Sequence, residues 1–130
     1  MASIFTKIIK GELPSYKIAE NESHLAFLDI HPAARGHTLV IPKVEIDYLF
    51  DLPDTLLTDT VLFAKEVAGA IDKALKPLRT GLIVEGLEVP HAHIHLIPVY
   101  ERTQDFSLGK KVDLSGDEMA EIARLISEKF

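Results

Sequence analysis

The chain has 130 residues, of which 47% are hydrophobic and 26% charged, a balance typical of one folded domain over residues 1–130. Its net charge of −6 and its lack of a basic stripe argue against a nucleic-acid partner, and without cysteine it has neither disulfides nor thiolate metal sites. No segment has the apolar length of a signal-peptide core or a membrane span, so we expect a cytoplasmic protein with no membrane partner.

The first half of the chain predicts a short helix followed by three strands. Ser3 is a suitable N-cap for a helix over Ser3–Lys10, and Gly11 and Pro14 end that helix. Short connections between the strands favour antiparallel pairing. The strand-like runs, each bounded by turn-forming residues, are Tyr16–Ala19, His24–Ile30 and His37–Pro42.

The second half predicts one long helix, two strands and a last helix. Asp54–Lys76 lies between two prolines and carries an apolar stripe at helical spacing. Strands are expected at Gly81–Glu85 and His91–Val99. A capping box at Ser115 starts the last helix. The inner face of that helix is expected to consist of Met119, Ile122 and Ile126.

These elements predict an α+β fold. We expect a mainly antiparallel five-stranded sheet, with the long helix packed on one side and short helices at both termini.

Three histidines stand at alternate positions in the second of the later strands. Since side chains alternate between the faces of a strand, the histidines should share one exposed face and the apolar residues between them should face the long helix. The histidines are His91, His93 and His95, and the apolar residues are Ala92, Ile94 and Leu96.

The residues alone leave three interpretations of this pattern open. It can be a polar outer face that happens to consist of histidine. It can be a zinc or copper site, since alternating strand histidines can chelate a metal. It can also perform phosphorus chemistry, with one imidazole as nucleophile and the others as proton donors and positioners.

Three stretches, the second of them in two parts, resemble the histidine triad (HIT) family of nucleotide hydrolases and transferases, most closely its small Hint-like branch. Ser3–Pro14 is similar to the N-terminal segment of the family. Leu25–Pro32 and Gly36–Lys43 are similar to its nucleotide-binding strands, and Glu88–Pro98 is similar to the triad itself.

The resemblance implies a role for each matching residue. His93 would be the nucleophile that attacks the α-phosphorus and becomes transiently nucleotidylated, with His91 and His95 holding phosphate oxygens and helping to protonate the leaving group. His37 would support the triad, and Asp29 would bind the ribose hydroxyls. Further nucleotide-binding positions would be Ile4, Phe5, Ile8, Phe27, Ile30, Leu39 and Glu88. Two other histidines, His24 and His31, match nothing functional and are expected at the surface.

The chain departs from its relatives at two places. Many relatives bind zinc through a C-x-x-C pair and two histidines, but the matching positions hold Ser3, Thr6, Glu45 and His91, so we expect no zinc and no other cofactor. The loop before the triad is also short. Leu87 and Glu88 replace neutral polar residues there, and this change is expected to favour amine-like leaving groups over polyphosphates.

The resulting hypothesis is an enzyme that cleaves a nucleoside phosphoramidate or a dinucleotide through a covalent intermediate on His93. Its substrate would be a small molecule of the purine-nucleotide type, and the chain would form a homodimer. The alternatives are a nucleotide-binding protein without turnover and a metal-binding module built on the three alternating histidines.

Overall fold

The structure, a computed structural model, describes residues 2–130. Its sheet has the order β1-β2-β3-β5-β4, and every neighbouring pair is antiparallel. This arrangement confirms the predicted α+β fold. In chain order the elements are α1 (Ile4–Ile9), β1 (Lys17–Glu20), β2 (His24–Leu28), β3 (Thr38–Pro42), a 3-10 turn (Leu49–Asp51), α2 (Asp54–Leu75), β4 (Arg79–Ile83), β5 (Ile94–Val99) and α3 (Gly116–Lys129).

The strand carrying the histidines is shorter than the sequence suggests. β5 begins at Ile94, so His91 and His93 precede the ladder although the prediction placed them within it. The backbone before Ile94 pairs outside the sheet, because the Ala92 amide donates to the Ile46 carbonyl in the loop after β3 (2.7 Å). Smaller shifts occur at the ends of β1, β2, β3 and β4.

Two helices cover one face of the sheet. Ala26, Val40 and Ile94 lie side by side across three strands and are almost completely buried against this layer. The predicted stripe of α2 is confirmed, since Phe63 and Val67 lie in the same core. The capping box at Ser115 and the buried inner face of α3 are confirmed as well. Within residues 2–130, no helix has the length and apolarity needed to cross a membrane.

His24 belongs to this core, and its expected surface location is wrong. Its ring is only 2% exposed and stacks on Phe63 at 5.3 Å. The hydroxyl of Thr60 donates to the Leu56 carbonyl (2.7 Å) and accepts the His24 Nε2–H (2.8 Å), which leaves the buried Nδ1 without a partner. His31 is exposed, as expected.

The second face of the sheet is also covered, which corrects the expectation of a layer on one side only. α1 lies over β2 and β3, with the Phe5 ring 5.5 Å from the ring of Phe27. A segment over residues 104–112, here called the C-terminal strap, lies over β4 and β5. Its Leu108 packs against Ile97, and the ring of its Phe106 occupies the space where a side chain at Gly81 would stand. On this face, α1 and the C-terminal strap pack against the sheet on either side of His95.

Candidate active site

A single cross-strand row places the last histidine of the triad. Phe27 pairs with Leu39, Leu39 with His95, and His95 with Ile83, so the four side chains share one face across β2, β3, β5 and β4. Phe27 and Leu39 pack under α1, whereas Ile83 packs in the cluster that holds the strap. His95 therefore lies on the boundary between the two covers.

A cavity of about 420 Å³ opens between α1 and this face of the sheet. Its size is that of a small-molecule site, and its lining is largely apolar. All the residues expected to bind nucleotide line it: Ile4, Phe5, Ile8, Phe27, Asp29, Ile30, Leu39 and Glu88. His93 and His95 line it too, whereas His37 and His91 do not. Leu13 and Pro14, which were not predicted as site residues, follow α1 and also line the cavity.

The histidines are buried, and their expected exposure is wrong. His91 is inaccessible, while His93 and His95 are 4% and 8% exposed. The Phe5 ring stands edge-on to His93 at 5.1 Å and to His91 at 5.9 Å. The helix that forms the cavity thus also removes these imidazoles from water.

Two hydrogen bonds fix the protonated nitrogen of His37 and His95. The Ala33 amide donates to His37 Nδ1 (2.9 Å), so a neutral His37 carries its proton on Nε2. That Nε2–H donates to His95 Nδ1 (2.9 Å). His95 must then carry its own proton on Nε2, where it can be donated to a ligand.

His93 has the opposite tautomer. Its Nδ1 is 2.7 Å from the His91 carbonyl, which can only accept, so a neutral His93 carries its proton on Nδ1 and has a free lone pair on Nε2. The carbonyl that fixes this ring belongs to the first histidine of the triad. The His93 and His95 rings lie 4.9 Å apart, which brings a bare nitrogen and an N–H donor to the same cavity.

Both ring nitrogens of His91 are hydrogen-bonded to other groups of the protein. Its Nε2–H donates to the Pro42 carbonyl (2.8 Å), and its Nδ1 accepts from the Ser3 hydroxyl (2.9 Å). Neither nitrogen is free for a phosphate oxygen. The carbonyl of the same residue holds the His93 ring, so His91 can act on the site through His93.

Burial keeps the supporting histidines neutral. It lowers the pKa of His37 to about 4 and, together with the nearby His93, lowers the pKa of His95 to about 4. Burial also lowers the pKa of His91. Neutral rings are required by the hydrogen bonds described above, because a doubly protonated imidazole could not accept from Ala33 or Ser3.

The four positions that match the zinc ligands of relatives form a hydrogen-bonded cluster. Glu45 Oε1 accepts from the Ser3 amide and from the Thr6 hydroxyl, both at 2.6 Å, and these bonds lower the pKa of Glu45 to about 2. The Ser3 hydroxyl donates to His91. Two neutral hydroxyls are poor zinc ligands, so these residues do not fit a structural zinc ion.

A second group of possible metal ligands lies beside the cavity. Asp29, His37 and His95 have ligand atoms within 4.8 Å of one another, and within residues 2–130 no other set of three histidines or carboxylates is so close. His37 Nε2 carries a proton, however, because its Nδ1 accepts from the Ala33 amide. The protonation pattern therefore does not fit a metal, and the three alternating histidines do not converge on one position.

Asp29 lies where β2 turns away from the sheet. Its Oδ1 accepts from the His31 amide (2.8 Å), which makes a local turn, and its Oδ2 is 3.6 Å from His37 Nε2. The carboxylate also lines the cavity, so its remaining lone pairs can accept from a ligand.

Known proteins resemble this chain over most of its length. The family model for the HIT domain matches residues 10–102. The adenosine 5'-monophosphoramidase HNT1 of Saccharomyces cerevisiae is 42% identical over 109 residues, covering 83% of this chain and 69% of the yeast protein.

Solved structures share the fold. A Hit-like protein involved in cell-cycle regulation from Bartonella henselae superposes with a TM-score of 0.87 at 29% identity, over 98% of this chain and 96% of its own. A Zn-bound histidine triad family protein from Mycobacterium smegmatis gives a TM-score of 0.86 at 28% identity, over 99% and 93%.

Proposed function

The chain belongs to the HIT domain family, and we propose that it is a nucleotide hydrolase or nucleotidyl transferase acting at the α-phosphorus of a nucleoside phosphoramidate or a dinucleotide. The phosphoramidase activity named for the yeast relative supports this substrate class. The nucleoside would occupy the cavity beneath α1, with its base against apolar side chains and its ribose at Asp29.

The observation that carries the proposal is the complementary protonation of two neighbouring rings. His93 offers an unprotonated Nε2, and His95 offers an N–H donor, at the same cavity. A phosphoryl centre needs both a nucleophile and a donor for its oxygens or its leaving group. A protein that only binds nucleotides has no requirement for a bare nitrogen of this kind.

The reaction would proceed in two displacements. The His93 Nε2 lone pair attacks the α-phosphorus, an N–P bond forms, and the bond to the leaving group breaks. His95 Nε2–H donates a hydrogen bond to the phosphoryl oxygens and keeps its proton, since a neutral His95 that lost it would become an imidazolate anion. The leaving atom takes its proton from water. Water then attacks the same phosphorus and displaces the imidazole, releasing the nucleoside monophosphate.

In this proposal His91 and His37 are positioning residues. His91 holds the His93 ring by its carbonyl, and His37 fixes the tautomer of His95. The holding of phosphate oxygens implied for His91 by the family resemblance finds no support in its geometry. The alternative of binding without turnover is tested by the covalent intermediate considered in the Discussion.

Replacing Asp29 with alanine should weaken nucleotide binding more than it slows the chemical step. A carboxylate that accepts hydrogen bonds from ribose hydroxyls contributes about 1.5–3 kcal/mol, or roughly tenfold or more in Kd. We expect titration calorimetry to show this loss for adenosine monophosphate and a much smaller one for its 2',3'-dideoxy analogue. Asp29→Asn is the matched control for packing, and equal losses for the two ligands would contradict a ribose contact.

We also propose that the chain forms a homodimer. β4 is an edge strand with an unpaired side, and Leu82 and Leu62 are each 51% exposed on β4 and α2. Light scattering at micromolar concentration should report twice the mass of 14.4 kDa. Leu62→Lys combined with Leu82→Lys should give a monomer, and a wild-type monomer would refute the proposal.

A further inference from the structure

We propose that the C-terminal strap and the loop before β3 form a subsite for an anionic group on the leaving side of the substrate. This inference rests on the proposed function, since it assumes that a nucleotide is cleaved at His93. The family model ends at residue 102, so the strap lies outside the part of the chain that it matches.

The order of side chains across the sheet defines the leaving side. Phe27 and Leu39 belong to the nucleoside cavity, His95 comes next, and Ile83 lies in the cluster under the strap. A nucleoside beneath α1 puts its α-phosphorus at the histidines. In this proposal the group beyond the scissile bond extends toward β4, where the strap lies.

Several contacts hold the strap against this half of the sheet. The Gln104 amide nitrogen donates to the Pro98 carbonyl (2.8 Å), and its oxygen accepts from the Tyr100 amide (2.7 Å). At the other end, the Val112 amide donates to the Pro32 carbonyl (2.9 Å). The strap is therefore fixed at both ends, by Gln104 at its start and by Val112 directly after its two lysines.

The cavity between strap and loop is lined by cationic side chains. It measures about 330 Å³, and its lining includes Arg35 from the loop and Lys110 from the strap. The next residue, Lys111, lies close enough to the active site for its charge to lower the pKa of both His37 and His95. Two cations thus line the strap cavity, and Lys111 adds a third positive charge near His37 and His95, in a chain whose net charge is −6.

The opposite charge lies at the other end of the site. Glu88 lines the nucleoside cavity with residues of α1 and does not line the strap cavity. The effect on polyphosphate leaving groups expected of Glu88 therefore does not apply to the strap cavity, whose two charged lining residues, Arg35 and Lys110, are both positive. Electrostatic complementarity there favours a leaving group with a negative charge.

Two kinds of leaving group carry such a charge within reach. One is an amine that bears a carboxylate, such as an amino acid joined to phosphorus through its nitrogen. The other is the phosphate chain of a second nucleotide. Both place anionic oxygens beyond the scissile bond, and both can be presented to the same lysines.

A pair of substrates that differ only in this charge tests the inference. The N-linked adenosine 5'-phosphoramidates of glycine and of glycinamide have the same nucleoside and scissile bond. Lys110→Met combined with Lys111→Met should lower kcat/KM for the glycine compound by roughly threefold to tenfold relative to the amide. The matched control, Lys65→Met with Lys129→Met, removes the same charge elsewhere and should leave the ratio unchanged.

A third substrate, diadenosine triphosphate, separates the two sources of negative charge. A loss larger for the glycine compound identifies a carboxylate, and one larger for diadenosine triphosphate identifies phosphate. Equal losses for all three compounds, glycinamide included, or no loss for any of them, would overturn the subsite.

Binding of inorganic pyrophosphate distinguishes failure of the subsite from failure of the proposed function. If the wild-type protein turned over none of the three compounds, the proposed function would fall. The Kd for pyrophosphate would still decide the subsite. An increase in Kd confined to the strap variant supports the subsite, and an unchanged Kd overturns it.

Discussion

Replacing His93 with alanine should reduce turnover of an adenosine phosphoramidate by roughly a thousandfold or more, because it removes the nucleophile itself. Nucleotide affinity should change little, since the cavity owes its binding surface to α1, Asp29 and the apolar side chains of β2 and β3. The measurement is steady-state kcat and the Kd for adenosine monophosphate on the same preparation. His31→Ala is the matched control, because His31 lines the same cavity but is exposed.

The covalent intermediate gives an independent readout. Acid-quenched mass spectrometry during turnover should find one nucleotidyl group on the peptide that contains His93. The adduct should be acid-labile, as expected of a phosphorus–nitrogen bond, and absent from His93→Ala. An adduct on another residue, or a fully active alanine variant, would contradict the mechanism.

Local patterns in the sequence predicted the fold well because each helix and strand is specified by residues close together in the chain. The stripe of α2, the capping box at Ser115 and the alternation in β2, β3 and β5 are each contained within a few residues. The same alternation could have corrected the error at His24. His24 shares its side of β2 with Ala26 and Leu28, and both face the α2 layer.

The states of the histidines could not be predicted in this way, because they depend on distant parts of the chain. The tautomer of His37 is set by the Ala33 amide, that of His91 by the Pro42 carbonyl, and the burial of His93 by Phe5. None of these partners is identified by spacing around the triad. The strap escaped prediction for a similar reason, since its position depends on packing against Gly81 and Ile97.

The same burial should make the protein sensitive to mild acid. His37 and His95 have folded pKa values of about 4, whereas an unfolded histidine titrates near 6.5. Below pH 6.5 the two histidines bind protons in the unfolded state but not in the folded state, so the free energy of unfolding decreases as the pH falls. The stabilisation is complete above 6.5 and is lost by pH 4. At pH 5 the loss amounts to about 2 kcal/mol for each of the two residues.

Urea unfolding followed by circular dichroism at pH 7 and pH 5 measures this effect. The range from pH 7 to pH 5 reports on histidines and not on carboxylates. Glu20 and Glu45 have pKa values lowered to about 2, so their protonation begins to destabilise the fold only near pH 4.5 and below. His24→Gln should flatten the pH dependence, because burial lowers the pKa of His24 as well, whereas His31→Gln should leave it unchanged. A loss confined to pH below 4.5 would assign acid sensitivity to the carboxylates instead. It would also remove the reason to treat His37 and His95 as neutral partners, on which the N–H donor of the active site depends.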